Sequence, residues 1–198
     1  MFESILCQVT EYDPEIFEPL IELAVEIARE GREGRRIGTV FTFGGHEEVL
    51  AHSRLLILDP LAGHSDAAKH LSDPNLRGTI KELAQLDGAF VVSSAGVFVS
   101  ACRYLEVAGA ALSVPLGLGS RHLAGAAIST ITGAVAIVVS ESSTVRVFCH
   151  GRLTAEIIPE LWLLSRYEIQ LQGPVTKENV GDLAIFTPRR GGRASGIG

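Results

Sequence analysis

The stretch "GAFVVSSAGVFVSACRYL" (Gly88–Leu105) decides how the strands of this chain are joined. Two apolar runs rich in β-branched and aromatic residues flank Ser94-Ala95-Gly96, a pattern that predicts two antiparallel strands closed by a tight turn. The device recurs in "AIVVSESSTVRVFCHGRLTAEI" (136–157), with turns near Ser142 and at His150-Gly151. A parallel pair needs a crossover of a dozen residues or more, so these spacings disfavour a regular βαβ repeat.

Working outward, "IGTVFTF" (Ile37–Phe43) reads as a strand that ends at Gly44-Gly45, and a further strand is expected through "EVLAHSRLLIL" (48–58). Residues 13–33 read as an amphipathic helix: Asp13 caps, Pro14 suits the first position, and Glu15 and Glu18 meet the positive end of the dipole. Ile16, Leu20, Leu23, Ala24 and Ile27 form its apolar stripe, and Pro19 either kinks it or marks its true start. "DPLAGH" (59–64) is turn chemistry, whereas "SDAAKHL" (65–71) and "LRGTIKELAQL" (76–86) have helical periodicity. Ser120–Ile131 is expected to be a helix rising from a Gly-rich turn.

The predicted architecture is therefore α/β, with a central mixed, largely antiparallel sheet flanked by helices. Residues 1–35 are expected to pack as an N-terminal helix on a domain spanning 36–185, followed by a flexible, Gly- and Arg-rich tail at 186–198. A chain of 198 residues with 46% apolar and 20% charged residues suits a folded domain rather than extensive disorder. Its apolar run "GAVAIVVS" is far short of the ~20 residues that a spanning helix needs. With no basic region ahead of an apolar N-terminal stretch, and with Cys7, Cys102 and Cys149 far apart, a cytoplasmic protein with reduced cysteines is expected. The net charge of −6 argues against broad nucleic-acid binding, so an anionic ligand has to be held locally.

Three polar clusters interrupt the apolar pattern. In "GLGSRHLAGAAIS" (117–129), Gly117 and Gly119 allow close approach to backbone N–H groups at a helix start, Ser120 can cap or donate, Arg121 carries a fork of donors, and His122 donates as well. That is a candidate phosphate cradle; a capped helix with a surface arginine is the plainer reading. Asp87-Gly88 enters an apolar strand, as a turn pair or as a carboxylate that can hold Mg²⁺ or Mn²⁺. Ser140 and Glu141 end another strand, as a hairpin loop or as a third contribution to the same rim. His46, His52, His64, His70 and His150 lack metal-ligand spacing and read as surface or core, although His64 in "AGH" can lie near a nucleotide; Cys102, Cys149 and Trp162 read as packing residues.

Taken together, "LDGAFVV", "GLGSRHLAGAAIS" and "AIVVSE", in this order, resemble the diadenylate cyclase (DAC, or DisA_N) family, and "RYL" and "GH" look like its archaeal branch. The family's Asp-Gly-Ala motif appears as Asp87-Gly88-Ala89, and its Gly-Thr-Arg-His-Arg motif as Gly119-Ser120-Arg121-His122-Leu123. The resemblance extends from about Ile37 to about residue 153. It implies a nucleotidyltransferase that condenses two ATP into cyclic di-AMP and two pyrophosphates, with Mn²⁺ or Mg²⁺, across a homo-oligomer whose active sites face each other. It further implies Asp87, Arg121 and His122 as catalytic residues and Asp87 and Glu141 as metal ligands. ATP-binding positions are Gly88, Ala89, Tyr104, Leu105, Gly119, Ser120, Arg121, His122 and Ser140. Two positions depart from the family's motif, Leu123 for the second arginine and Ser120 for threonine, and where many bacterial members carry a second acid after "SE" and a histidine before "DGA" this chain has Ser142 and Leu86. The loss at 123 weakens triphosphate binding or passes the role to Arg103 or Arg146. Two alternatives remain: a degenerate member that binds ATP or cyclic di-AMP as a sensor, and a small partner-binding module.

Overall fold

A computed structural model of the chain describes residues 13–106, 118–159, 175–180 and 183–188, the last two stretches as backbone strands. Cys7, Gly117 and Trp162 lie outside them. The chain divides into two units, 1–162 and 163–198.

In the first unit, α1 (Pro14–Glu30) leads into β1 (Thr39–Phe43), α2 (His46–Ala51), β2 (Ser53–Leu55), α3 (Pro74–Leu83), β3 (Ala89–Val92), β4 (Phe98–Leu105), α4 (Ser120–Ile131), β5 (Val135–Val139), β6 (Val145–Cys149) and β7 (Arg152–Ile157). The seven strands form one sheet in the order β2-β4-β3-β1-β5-β6-β7. β1 and β3 run parallel, and every other pair is antiparallel, so the sheet is mixed and largely antiparallel. In the second unit, β8 (Val175–Val180) and β9 (Leu183–Pro188) pair antiparallel from Val175↔Pro188 to Val180↔Leu183. β9 carries regular structure through residues 186–188, where the sequence alone starts the tail.

The central strands read as unbroken apolar runs because both faces of the sheet are covered. Phe41, Phe43, Phe90, Phe98, Ile137 and Val147 join Phe17, Leu20, Ile21 and Ala24 of α1 and Ile80 of α3 in one core. Val40, Ala89, Val91, Ala136, Val138 and Phe148 point the other way, onto Ala126 and Ile128 of α4. Each buried Phe, Leu or Ile contributes about 1.5–3 kcal/mol of apolar transfer. Close packing of α4 depends on Gly125, where a Cβ would stand 2.7 Å from Val138 Cγ2.

Asp13 caps α1 by accepting from Glu15 N at 2.9 Å, and Gly31, at φ +56, ends it. The helix continues through Pro19, because the buried face from Phe17 to Ala28 outweighs one lost backbone bond, and Arg77 Nη1 donates to the Pro19 carbonyl at 3.1 Å. An ion-pair group joins α1 to α3: Glu26 meets Arg77 at 3.0 Å and Lys81 at 2.8 Å, and Lys81 also reaches Glu30 at 3.1 Å. Burial acts to raise the Glu26 pKa, but Lys81 and Arg77 outweigh it and hold the carboxyl below its usual value. A depressed carboxyl contributes stability that is complete above the unfolded value near 4.5 and is lost as pH falls through the folded value. The melting temperature should therefore drop on acidification below pH 4.5, and Glu26→Gln should flatten that part of the profile in calorimetry.

Two expectations need correction. The strand predicted over 48–58 is a one-and-a-half-turn helix followed by the three-residue β2: Gly44 and Gly45, at φ +73 and +52, swing the chain off β1, and Glu47 and Glu48 occupy the first turn of α2 where the dipole favours them. Beyond β2, Leu56–Leu58 leave the sheet. "SDAAKHL" forms only a 3-10 turn over Ala67–Lys69, because His70 is drawn to the β3–β4 hairpin, where Nε2 lies 2.8 Å from Ala95 O.

Candidate active site

The starts of parallel β1 and β3, the ends of antiparallel β4 and β5 and the start of β6 all lie at one end of the sheet. Every polar cluster singled out in the sequence is attached there: Asp87-Gly88 before β3, Tyr104-Leu105 closing β4, Ser140-Glu141 after β5, and the first turn of α4.

Arg121 joins them. Its Nη2 lies 3.3 Å from Asp87 Oδ1 and its Nη1 lies 2.9 Å from Glu141 Oε1. The carboxylates are 82% and 64% exposed, so both remain open to a ligand. The guanidinium lies close against Gly38, where a Cβ would stand 2.8 Å from Nη1 and 3.3 Å from Cζ. Sequence reasoning passed over Gly38; its signal was a glycine at the entry of an otherwise bulky strand.

Two depressions flank Arg121. The larger, about 570 Å³, is lined by Asp87, Gly88, Ala89, Arg103, Tyr104 and Leu105 on one side and Ser120, Arg121, Leu123 and Ala124 on the other, with Val40 and Leu56. That volume is within the usual range for small-molecule sites, roughly 300–1,000 Å³. The second, about 350 Å³, lies among Gly119, Ser120, Arg121, His122, Ser140, Glu141, Ser142 and Arg146. Tyr104 is backed by Arg54, whose guanidinium carbon lies 4.7 Å from the ring centroid.

Gly119, not Ser120, is the N-cap of α4, and no side chain caps it. His122 N and Leu123 N donate to Gly119 O at 3.0 and 3.2 Å, which leaves the N–H groups of Ser120 and Arg121 for an anion, in the positive field of the helix terminus. Ser140 Oγ is 2.9 Å from Ser142 Oγ, a pair of hydroxyls on the second depression's wall. His122 is buried, its Nε2 3.1 Å from Arg146 Nη1, and burial together with Arg146 and Arg121 pushes its pKa down against the opposing Glu156.

Gly88 has φ +107 and lies against the backbone of Cys102-Arg103, where β4 bulges and Cys102 takes φ +56. Asp59 holds the bulge: it accepts from Ser100 Oγ at 2.6 Å and Ala101 N at 3.2 Å, while Leu56 N donates to Cys102 O at 2.9 Å. Burial and Asp59 raise the Cys102 thiol pKa, which keeps it protonated. Asp59 and Leu56 were not foreseen as parts of the site, since in sequence they read as a turn and a strand.

The candidates to replace the arginine absent at Leu123 are now distinguishable. Arg103 lines the larger depression but is committed to Ser53 Oγ, Leu50 O and Ser53 O at 3.1, 3.1 and 2.8 Å. Arg146 opens onto the second depression and is held between His122 and Glu156. Leu123 itself is 45% exposed on the cleft wall.

Asp87 and Glu141 supply hard oxygen donors suited to Mg²⁺ or Mn²⁺, cations that bind through one or two carboxylates with phosphate oxygens and waters completing the shell. Among the described residues no group of three or more His, Cys, Asp or Glu gathers to hold a metal. A cation held by this pair alone would need further oxygen ligands to complete its shell. Among the described residues no helix is long and apolar enough to cross a membrane.

A three-layer α/β domain with a charged cleft at one end of the sheet's central strands, walled by a helix N-terminus, is the class that this geometry defines. The sequence model of the DAC family, described as the DisA bacterial checkpoint controller nucleotide-binding family, matches residues 26–153, and the chain belongs to that family. It is 47% identical over 146 residues to a diadenylate cyclase of Methanocaldococcus jannaschii, covering 73% of this chain and 46% of that protein. It is 40% identical over 151 residues to a diadenylate cyclase of Haloferax volcanii, covering 76% of this chain and 55% of that one. The chain thus spans about half the length of these relatives. A Bacillus cereus structure described as a hypothetical membrane spanning protein shares the fold, with a TM-score of 0.53 and 22% identity over 75% of this chain and 66% of that one.

Proposed function

We propose that this chain is a diadenylate cyclase, which joins two ATP molecules into cyclic di-AMP and releases two pyrophosphates. The observation that carries the reading is the Asp87–Arg121–Glu141 group, drawn from separate elements to one rim beside an uncapped helix start. In this reading Gly88, Ala89, Tyr104 and Leu105 hold the base and ribose, and Gly119, Ser120, His122 and Ser140 hold the phosphates.

The chemistry follows from positioning and charge, as phosphoryl-group reactions require little covalent work from the protein. Each 3′-hydroxyl oxygen forms a bond to the α-phosphorus of the other nucleotide, the bond from that phosphorus to the bridging oxygen breaks, and pyrophosphate leaves. Asp87 takes the hydroxyl proton, and Arg121 balances charge on the phosphoryl oxygens. Asp87 and Glu141 would hold the divalent cation, Mn²⁺ or Mg²⁺, which when bound would neutralise triphosphate charge. In this reading each copy of the chain binds one ATP, and the reaction takes place between two copies with their clefts facing.

The test is mass spectrometry of the chain incubated with ATP and Mn²⁺ or Mg²⁺. Cyclic di-AMP is expected, and its absence across several metal conditions sinks the reading. A second reading, a nucleotide sensor, is favoured by the uncharged Leu123 on the cleft wall. Calorimetric binding of ATP without any product would select it.

A further inference from the structure

His122 is 6% exposed in the first turn of α4, its ring 6.3 Å from that of Phe148 in a tilted, edge-on contact. Its Nε2 faces Arg146 Nη1 at 3.1 Å. A guanidinium only donates, so Nε2 has to be the accepting nitrogen, and a neutral ring then carries its proton on Nδ1. This is the reverse of the form that a histidine in water favours. Nδ1 is buried and has no hydrogen-bond partner among the described residues.

Arg146 is itself fixed. It faces Glu156 directly across the β6–β7 ladder, and Nη2 lies 2.5 Å from Glu156 Oε1. The Arg146 side chain is 16% exposed, whereas Glu156 is 46% exposed on the solvent side of the pair. Both His122 and Arg146 line the second depression with Gly119, Ser140 and Ser142. Burial, with Arg146 and Arg121, also disfavours the charged ring.

We propose that Arg146, clamped by Glu156, is a positioning residue that fixes His122 as a neutral Nδ1–H donor at the phosphate end of the cleft. The Nδ1–H donor is then left without a protein acceptor among the described residues, and Arg146 adds a permanent cation to the wall of the second depression, across Arg121 from the larger one that Leu123 lines. For its substrate, though not for the hydrogen-bond arrangement, this inference rests on the reading under Proposed function.

Long-range ¹H–¹⁵N spectra of the ¹⁵N-labelled, nucleotide-free chain at pH 7.5 read the tautomer, with His122 assigned by its loss in His122→Gln. The wild type should show the proton on Nδ1. Arg146→Met should move it to Nε2 and lower turnover of ATP by about tenfold or more, the effect typical of losing the group that orients a functional histidine. Arg146→Lys, which still donates to Nε2, should keep the Nδ1 proton and hold turnover within about threefold of wild type. A wild-type ring that is charged or protonated on Nε2 overturns the inference, and that measurement does not depend on any variant folding. So does a tautomer unmoved in Arg146→Met, or one that moves with turnover unchanged. If the wild type makes no product from ATP, the tautomer spectra decide this inference alone, and only the proposed activity fails.

Discussion

Asp87→Asn should lower cyclic di-AMP formation by about 10³-fold, the middle of the range for a group that accepts a proton in the transition state. The folded domain should hardly notice. Asp87 is 82% exposed and its partner Arg121 is 39% exposed, and exposed ion pairs contribute at most about 1 kcal/mol. Asparagine keeps the size and one oxygen but neither accepts the 3′-hydroxyl proton nor offers a charged ligand to a divalent cation. Product yield followed by chromatography, beside a melting curve, separates the two effects. Wild-type yield from the variant removes Asp87 from the mechanism, and a large loss of melting temperature means that the residue works through the fold.

Gly88→Ala is expected to damage both fold and site. At φ +107 an L residue is strained, and the added Cβ would stand 2.5 Å from Cys102 C and 2.7 Å from both Cys102 Cα and Arg103 N. These are backbone atoms of a bulge that Asp59 pins from the other side, so no side chain can swing away to relieve the clash. Overpacking and backbone strain together should cost about 3 kcal/mol. In a domain of this size that lowers the melting temperature by about 6–12 °C. The displacement also separates Asp87 from Arg121, so activity should fall further than the loss of folded protein explains. Scanning calorimetry and yield per folded molecule check both parts; an unchanged melting temperature would mean that the bulge gives way easily.

Much of the secondary structure was legible because local rules and tertiary burial agreed. Asp13 and Pro14 start α1, the Ser120–Ile131 helix follows its Gly-rich turn, and the hairpins at Ser94–Gly96 and His150-Gly151 close where turn residues stand between apolar runs. The failures came from a local turn, Gly44-Gly45 ahead of α2, and otherwise from long-range ties such as those of His70 and Asp59. "EVLAHSRLLIL" has strand composition, yet Leu56, Ile57 and Leu58 are 40%, 48% and 90% exposed, because the chain leaves the sheet edge and Asp59 ties it to β4 forty-one residues away. No local pattern records such a tie.

The site was legible as residue types and less so as partners. Asp87, Arg121 and Glu141 stood out because charged groups interrupt apolar strands and a helix start. Gly38, Asp59 and Glu156 did not, since a strand-entry glycine, a turn aspartate and a strand glutamate each have an ordinary explanation in sequence.

By itself the sequence determined the helices, the hairpins and the kinds of chemistry available, since capping, turn geometry and apolar period act over a few residues. Only the tertiary structure decided which of those groups meet. The strand order, with β1 and β3 parallel among antiparallel neighbours, sets the starts of β1 and β3 side by side between the ends of β4 and β5 at one end of the sheet, and there Arg121 spans carboxylates that lie 34 and 20 residues away along the chain. That meeting is a property of strand order and register, which are set when the two faces of the sheet are buried together.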